Sequence, residues 1–260
     1  MSVLNLYLIV LIITQFFIIL YFRKISNFIN FFDTPDNDRK KHKNKTSLLG
    51  GSIIFFSLVF IFVLFFSLLK FILISEFFFK NNISYIFFSI ACLLIYIIGL
   101  IDDKYNLNYY VKIILTTLIV SLFIFFEKNT YINLIYLSFY EYPIDISNIS
   151  LLFTTLCFLL FINSLNMFDG IDGQVGLYSL FLLNLILFLI GEDYFILFLI
   201  IGILTFLFLN LKKKCFLGDN GSLLLGFIFS YLIIKLYNQS IIHHADKIFL
   251  IMIIPGLDML

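Results

Sequence analysis

The 260-residue chain has no Trp, three Pro, three Cys and only two Ala. Charge is scarce too, with 13% of residues charged. A soluble domain carries roughly a quarter charged residues, so a soluble enzyme and a disordered chain are both excluded. The net charge of +1 excludes a nucleic-acid binder working through a basic surface. Cys92, Cys157 and Cys215 are too few and too scattered for a disulfide framework or a zinc site. Cys92 and Cys157 lie in apolar runs and read as core thiols. No positive charge precedes Arg23 and no small-residue cleavage site follows the first apolar run, so that run reads as an anchor and not a cleaved signal. There is no fixed-period repeat.

Apolar and aromatic residues fill the gap, at 62% and 20%, with a mean hydropathy of +1.08. A helix needs about 20 apolar residues to cross a bilayer core. Runs near that length occur at residues 4–22, 48–69, 83–101, 109–126, 150–167, 177–190, 194–211, 222–237 and 247–260. The expected fold is therefore all-α, a polytopic transmembrane bundle of about nine spans. The runs 177–190 and 194–211 are parted only by Gly191-Glu192-Asp193, which predicts a tight hairpin. Residues 131–144 are apolar but hold Glu141 and Pro143, and read as a loop or re-entrant hairpin. Nine spans put the loops after spans 1, 3, 5 and 7 on one side. With Lys112 included, that side holds 12 of the 17 basic residues. The positive-inside rule then places these loops in the cytoplasm and the N-terminus outside.

The acids on this face are more telling. Asp102, Asp103, Asp169, Asp172 and Asp219 all fall at span ends. One carboxylate there is simply solvated; five, on three loops of one face, point to a site. In GLIDDKYN two adjacent carboxylates repel, and a bound cation relieves the repulsion. Hard oxygens suit Mg²⁺, which takes one or two carboxylates plus substrate phosphate. In NSLNMFDGIDG, Asn163, Asn166, Asp169 and Asp172 recur every three residues, a spacing that predicts one polar stripe at near-helical pitch. In FLGDNGSLLLG, glycines bracket Asp219 and Asn220, and Ser222 is expected to cap the next span. A carboxylate in such a turn can hold a metal that bridges phosphates. Phe216 at the membrane edge reads equally as an interfacial anchor or a base-stacking ring. The basic run of the first loop, DTPDNDRKKHKNK, reads as a topology signal or as a binder of lipid headgroups and phosphates.

Taken in order, D-x-P…RK-x-H…GG, GLIDD, N-x-x-NMFDGIDG, F-L-G-D-x-G-S and IP-x-x-DM resemble the polyprenyl-phosphate N-acetylhexosamine-1-phosphate transferases. This is glycosyltransferase family 4, and the form of the motifs is closer to the GlcNAc-1-phosphate branch than to the phospho-MurNAc-pentapeptide branch. The resemblance runs from about Asp33 to Leu260. It implies one integral membrane transferase domain over 1–260. Undecaprenyl phosphate would attack the β-phosphorus of a UDP-sugar, and UMP would leave as the first membrane step of envelope polysaccharide synthesis. Mg²⁺, or Mn²⁺ in its place, would neutralise the pyrophosphate. The catalytic carboxylates implied are Asp102, Asp103 and Asp169, with Asp219 and Asp103 at the metal. Asn163, Asn166, Asp172, Asn210 and Phe216 match positions that face the nucleotide, and Arg39, Lys40 and His42 match the first-loop motif. The spacing from Asn210 to Asp219 is one residue short of the family pattern.

The resemblance also implies partners: a UDP-sugar, undecaprenyl phosphate and the lipid bilayer, no nucleic acid, and a homodimer as the assembly to test. The implied location is the bacterial inner membrane, multi-pass, with the active site on the cytoplasmic face. Three departures stand out. Asn106 replaces an Asp common after the acidic pair, and the Pro usual before the Gly pair is missing near Ser47. A cytoplasmic His-x-His-His loop is expected past IP-x-x-DM, so the chain is expected to be C-terminally incomplete, with a truncated, inactive member as the alternative. His243-His244 is not that loop, because it precedes the last run and reads as a solvated pair on the outer side. A transporter is the other alternative. Transporters carry their charges near the bilayer middle, whereas here they gather at span ends.

Overall fold

The computed structural model describes residues 3–33, 45–67, 75, 77–79 and 81–257. Among them are nine α-helices, one on each apolar run: α1 (Val3–Ile29), α2 (Gly50–Ser67), α3 (Asn82–Tyr105), α4 (Tyr109–Phe126), α5 (Ser150–Phe168), α6 (Gln174–Ile190), α7 (Tyr194–Leu211), α8 (Asp219–Asn238) and α9 (Ala245–Leu257). Six of these (α1, α3, α4, α5, α7 and α8) are long and apolar enough to cross a bilayer, so the protein is a membrane protein. Helix α9 has 13 residues, with Pro255 near its end, and residues 258–259 of the IP-x-x-DM motif lie outside the described residues. Two short antiparallel ladders qualify the all-α expectation: β1 (Phe32–Asp33) with β2 (Thr46–Ser47), and β3 (Leu134–Leu137) with β4 (Tyr140–Asp145). The second resolves residues 131–144 as a β-hairpin. Its Ser138 N–H and hydroxyl donate to Asp246 at the start of α9, at 2.8 and 2.7 Å.

The chain forms two compact units. The first comprises Met1–Ser75 and Asp169–Gly221, with α1, α2, α6, α7 and the first turn of α8. Helix α7 packs against α1, α2 and α6. Its Gly202 lies so close to Ser57 of α2 that a Cβ would collide with the serine side chain, as expected where small residues let membrane helices approach. Gln15 of α1 donates to the same Ser57 hydroxyl at 2.9 Å, which fixes the third helix on this contact.

The second unit comprises Glu76–Phe168 and Ser222–Leu260. Its core is aromatic. Phe79, Phe88, Phe123, Phe158, Phe227 and Tyr231 meet ring to ring at centroid separations of 4.7–6.4 Å, in edge-on, tilted and stacked pairs. Such geometries add to area burial. Helix α8 is buried from Asn220 to Tyr237. Gly226 lets it close on α5, since a Cβ there would sit 2.7 Å from the Ile162 Cα.

Candidate functional site

The first unit gathers three of the motif-bearing loops at one end. Ser47 of β2 bridges to Cys215 in parallel, with Phe216 N–H donating to the Ser47 carbonyl at 2.8 Å. Gly50 and Gly51 N–H then donate to the Phe216 and Leu217 carbonyls, both at 3.0 Å. The glycine pair is required by proximity. A Cβ on Gly51 would overlap the Asn220 side chain and the Gly221 backbone, and one on Gly50 would strike the Phe216 carbonyl. Asn220, fully buried, donates to the Leu48 carbonyl at 3.1 Å. The Gly pair of the first loop is therefore the seat of the FLGDNGS turn.

Asn210, at the end of α7 and 4% exposed, ties the third loop in. Its carbonyl oxygen accepts from Gly173 N–H at 2.5 Å, and its amide donates to the Cys215 carbonyl at 2.8 Å and toward Asp172 Oδ1 at 3.5 Å. Gly173 takes φ +84, in the left-handed region that favours glycine, and starts α6. Asn210 thus braces the GIDG turn against the CFLGD turn, with its amide committed to protein partners. Burial pushes the Cys215 thiol up to about 12, against a backbone hydrogen bond from Leu49, so it stays a neutral packing group. In this unit Asp172 is exposed, while Asp169, Asp219 and Phe216 are half-buried.

The stripe read at near-helical pitch is broken. Helix α5 ends at Phe168, so Asn163 and Asn166 are helical while Asp169 and Asp172 lie in the following turns, in the other unit. Asn163 bonds back to the Leu159 carbonyl at 2.7 Å, four residues earlier in its own helix. Asn166 accepts from the Ser222 hydroxyl at 2.6 Å. Ser222 is therefore not the cap of α8: the helix starts three residues earlier, at Asp219. Asp219 instead stands in the first turn, where the helix dipole favours a negative charge.

The acidic pair also lies in a helix rather than a loop. Asp102 and Asp103 occupy the last turn of α3, which ends at Asn106 with φ 49 and its N–H on the Asp102 carbonyl at 2.8 Å. Asn tolerates this left-handed cap better than most residues, which accounts for Asn106. The two neighbours have different surroundings. Asp102, 7% exposed, accepts from Leu107 N–H at 2.8 Å and from the Lys112 ammonium at 2.6 Å. Asp103 is half-buried. Asp102 thereby locks the α3–α4 corner and orients Lys112. Arg39, Lys40 and His42 lie outside the described residues.

Among the described residues no three His, Cys, Asp or Glu side chains converge at metal-ligating distance. The donor chemistry still suits Mg²⁺, which keeps several waters and takes one or two carboxylates plus phosphate oxygens. Asp219, in the first turn of α8, and Asp103, in the last turn of α3, belong to different units, and each by itself presents one carboxylate.

Apolar spans that end in carboxylate and amide loops, seated on paired glycines, define a class: integral membrane proteins with a polar site at the helix ends. The glycosyl transferase family 4 model matches residues 85–237, more than half of the chain, and the chain belongs to this family. A similar protein is the undecaprenyl-phosphate alpha-N-acetylglucosaminyl 1-phosphate transferase of Thermotoga maritima, 30% identical over 197 residues, which cover 75% of this chain and 54% of the relative. The phospho-N-acetylmuramoyl-pentapeptide-transferase of Nautilia profundicola is 27% identical over 252 residues, covering 83% of this chain and 67% of that protein. The Escherichia coli K12 undecaprenyl-phosphate alpha-N-acetylglucosaminyl 1-phosphate transferase is 25% identical over 224 residues, with 82% and 57% covered. The chain thus spans between about half and two-thirds of the length of these relatives.

Proposed function

We propose that the protein transfers N-acetylglucosamine-1-phosphate from a UDP-sugar to undecaprenyl phosphate in the bacterial inner membrane, with release of UMP. The observation that carries this reading is the Asn210 brace, which joins the GIDG turn to the CFLGD turn beside the paired glycines. That arrangement joins the turn holding Asp172 to the turn holding Phe216 and Asp219, which by resemblance would face the nucleotide and the metal. The relatives, undecaprenyl-phosphate alpha-N-acetylglucosaminyl 1-phosphate transferases, support the same choice of acceptor and transferred group. The motif loops face the cytoplasm in this reading, with the N-terminus outside.

In the reaction a lipid-phosphate oxygen attacks the β-phosphorus of the UDP-sugar, the bond to the UMP oxygen breaks, and the sugar phosphate is left on the lipid as a pyrophosphate. Little covalent chemistry falls to the protein, so positioning and charge stabilisation carry the rate. Asp219, at the start of α8, would present oxygens to Mg²⁺, which would supply positive charge against the pyrophosphate. In the first unit Asp172 would orient the nucleotide end, Phe216 would stack on the uracil, and Asp169 would lie beside the phosphates. Asp102 acts through Lys112, whose ammonium it holds ready for a phosphate oxygen. Arg39, Lys40 and His42 would add contacts from the first loop.

The test supplies detergent-purified protein with undecaprenyl phosphate, labelled UDP-GlcNAc and Mg²⁺, and follows labelled lipid and UMP. Asp219→Asn should lower the rate at least a hundredfold, about 3 kcal/mol of transition-state stabilisation, with unchanged thermal unfolding. Wild-type turnover by that variant would remove Asp219 from the site. Labelled lipid without UMP would refute the reaction.

A further inference from the structure

Between α4 and α5 the second unit carries a β-hairpin whose sequence pattern and burial disagree. In β4 Tyr140, Tyr142 and Ile144 alternate with Glu141, Pro143 and Asp145. Alternation of this kind marks a strand with one covered face. Every residue of β4 is nevertheless exposed, and Phe139 at the turn is 79% exposed. The ladder register sorts the two faces. Ile135 opposes Ile144 and, across one irregularity, Leu137 opposes Tyr140, while the Tyr140 and Tyr142 ring centroids lie 6.4 Å apart. One face is thus aromatic and aliphatic. Leu134 opposes Asp145 on the other, the face to which Glu141 and Pro143 alternate. Hydrogen bonds from the Ser147 hydroxyl and N–H hold the Asp145 carboxyl below its ordinary value, so this face keeps its charge.

The neighbouring helices hold this hairpin at a membrane surface. Helix α4 has 18 residues, about 27 Å at 1.5 Å per residue, close to the ~30 Å of a hydrocarbon core. Its end and the start of α5 at Ser150 therefore lie at one surface, away from the acidic pair, and residues 127–149 leave and return there. Asn238 of α8 donates to the Asn129 and Tyr131 backbone carbonyls at 3.0 and 3.1 Å. Tyr136 N–H donates to the Tyr237 hydroxyl at 2.8 Å, and that hydroxyl donates to the Leu134 carbonyl at 2.9 Å. Ile132 N–H donates to the Thr154 hydroxyl of α5 at 3.0 Å. With the bonds from Ser138 to Asp246, the hairpin is tied to α5, α8 and α9. In β4 Pro143 lacks an N–H and Glu141 adds charge, and both discourage strand addition by another chain. Residues 129–150 hold no Lys or Arg, so anionic headgroups find no counter-charge here.

We propose that the hairpin is an interfacial anchor: the face of Ile135, Tyr140, Tyr142 and Ile144, with Phe139, rests in the headgroup region of a zwitterionic bilayer, while Glu141 and Asp145 meet water. Tyr rings suit that depth because one end is apolar and the other wet. The bilayer is then the cover that the alternation calls for and the protein does not supply. The anchor fixes the depth of the helix ends to which the hairpin is tied. It stands on the second unit and its spans, and does not depend on the transfer reaction.

The chain has no Trp, so a single introduced Trp reports its own surroundings. Phe139→Trp and Tyr142→Trp probe the apolar side, and Glu141→Trp the acidic side, each in the whole chain in phosphatidylcholine nanodiscs. The quenchers are aqueous acrylamide and phosphatidylcholine brominated either high on the acyl chain or near its end. Phe139→Trp and Tyr142→Trp are expected to emit at shorter wavelength, to lose more intensity to the high bromines than to the deep ones, and to resist acrylamide. Glu141→Trp should be quenched by acrylamide and spared by both lipids. Replacing part of the lipid with phosphatidylglycerol should not raise the lipid quenching. Two positions on the apolar side keep the test intact if one variant unfolds early. Acrylamide reaching all three positions equally overturns the proposal. Resistance to acrylamide without lipid quenching at positions 139 and 142 also overturns it, and assigns the face to a second copy or another protein. So does stronger quenching by the deep bromines, which would make the hairpin re-entrant, or lipid quenching that appears only with phosphatidylglycerol.

Discussion

At the motif-bearing end of the first unit, buried polar side chains bond to backbone; at the far end of the second, such bonds surround a buried charge pair. Asn210 holds Gly173 N–H and the Cys215 carbonyl, and Asn220 holds the Leu48 carbonyl. These bonds fix the course of loops and leave carboxylates such as Asp172 at the surface. Glu127, by contrast, gathers the Lys235 ammonium and the Asn129 amide on one oxygen. The first arrangement presents charge and the second neutralises it. A site for phosphates needs the former, whereas a buried membrane core tolerates only the latter.

The comparison breaks most sharply at Lys235. Lys235→Met leaves the Glu127 carboxylate buried without its counter-charge and should destabilise the protein by about 3–5 kcal/mol. Combining it with Glu127→Gln should recover most of that loss. Thermal unfolding in detergent reads both; equal losses in the single and double variants would mean that packing, not charge, decides. Asn210→Ala has a smaller expected effect, about 2 kcal/mol, because it strands a buried N–H and a carbonyl but no charge. It should also speed proteolysis in residues 212–218 without altering the second unit's hydrogen exchange.

The smallest effect sits between the extremes, at Asp193, a buried carboxylate that caps α7. Its oxygens accept from the Ser75 hydroxyl at 2.6 Å and from Ile196 N–H at 3.2 Å. Burial nevertheless outweighs these bonds and holds its pKa above the ordinary value of 3.8. The folded state therefore binds this proton more tightly than the unfolded chain. Its contribution is fully present below the ordinary value and is lost as pH rises through the folded one. Asp193→Asn keeps a capping oxygen and should flatten that slope. A pH dependence of the midpoint identical to wild type would assign the slope to other groups.

Much of the architecture was legible because bilayer-length apolar runs leave little choice of structure. Each of the nine runs became a helix, and the carboxylate motifs fell at helix ends. What was not legible has physical causes. The three-residue spacing from Asn163 to Asp172 suggested one face, but α5 ends at Phe168 and Gly173 takes a left-handed φ before α6, so the acids leave the helix that carries the amides. Ser222 looked like a cap from composition, yet helix starts depend on backbone geometry, and Asp219 already stands inside the first turn. The adjacent acids of GLIDD read as equals. Only the position of Lys112, ten residues on, separates the locked Asp102 from its neighbour. The Glu127–Lys235 pair gave no signal, since its members are 108 residues apart and each is an isolated charge beside an apolar run.

Helix α8 also works as a gear with fixed teeth. Within the second unit Ser222 meshes with Asn166, Gly226 with Ile162, and Lys235 with Glu127. One residue inserted between Gly226 and Lys235 would advance every later side chain by about 100° and 1.5 Å. The ammonium would then face a neighbour with no carboxylate, and Asn238 would lose both backbone carbonyls at once. The helix carrying Asp219 at one end therefore cannot change length in its second half, however freely the loops around it do.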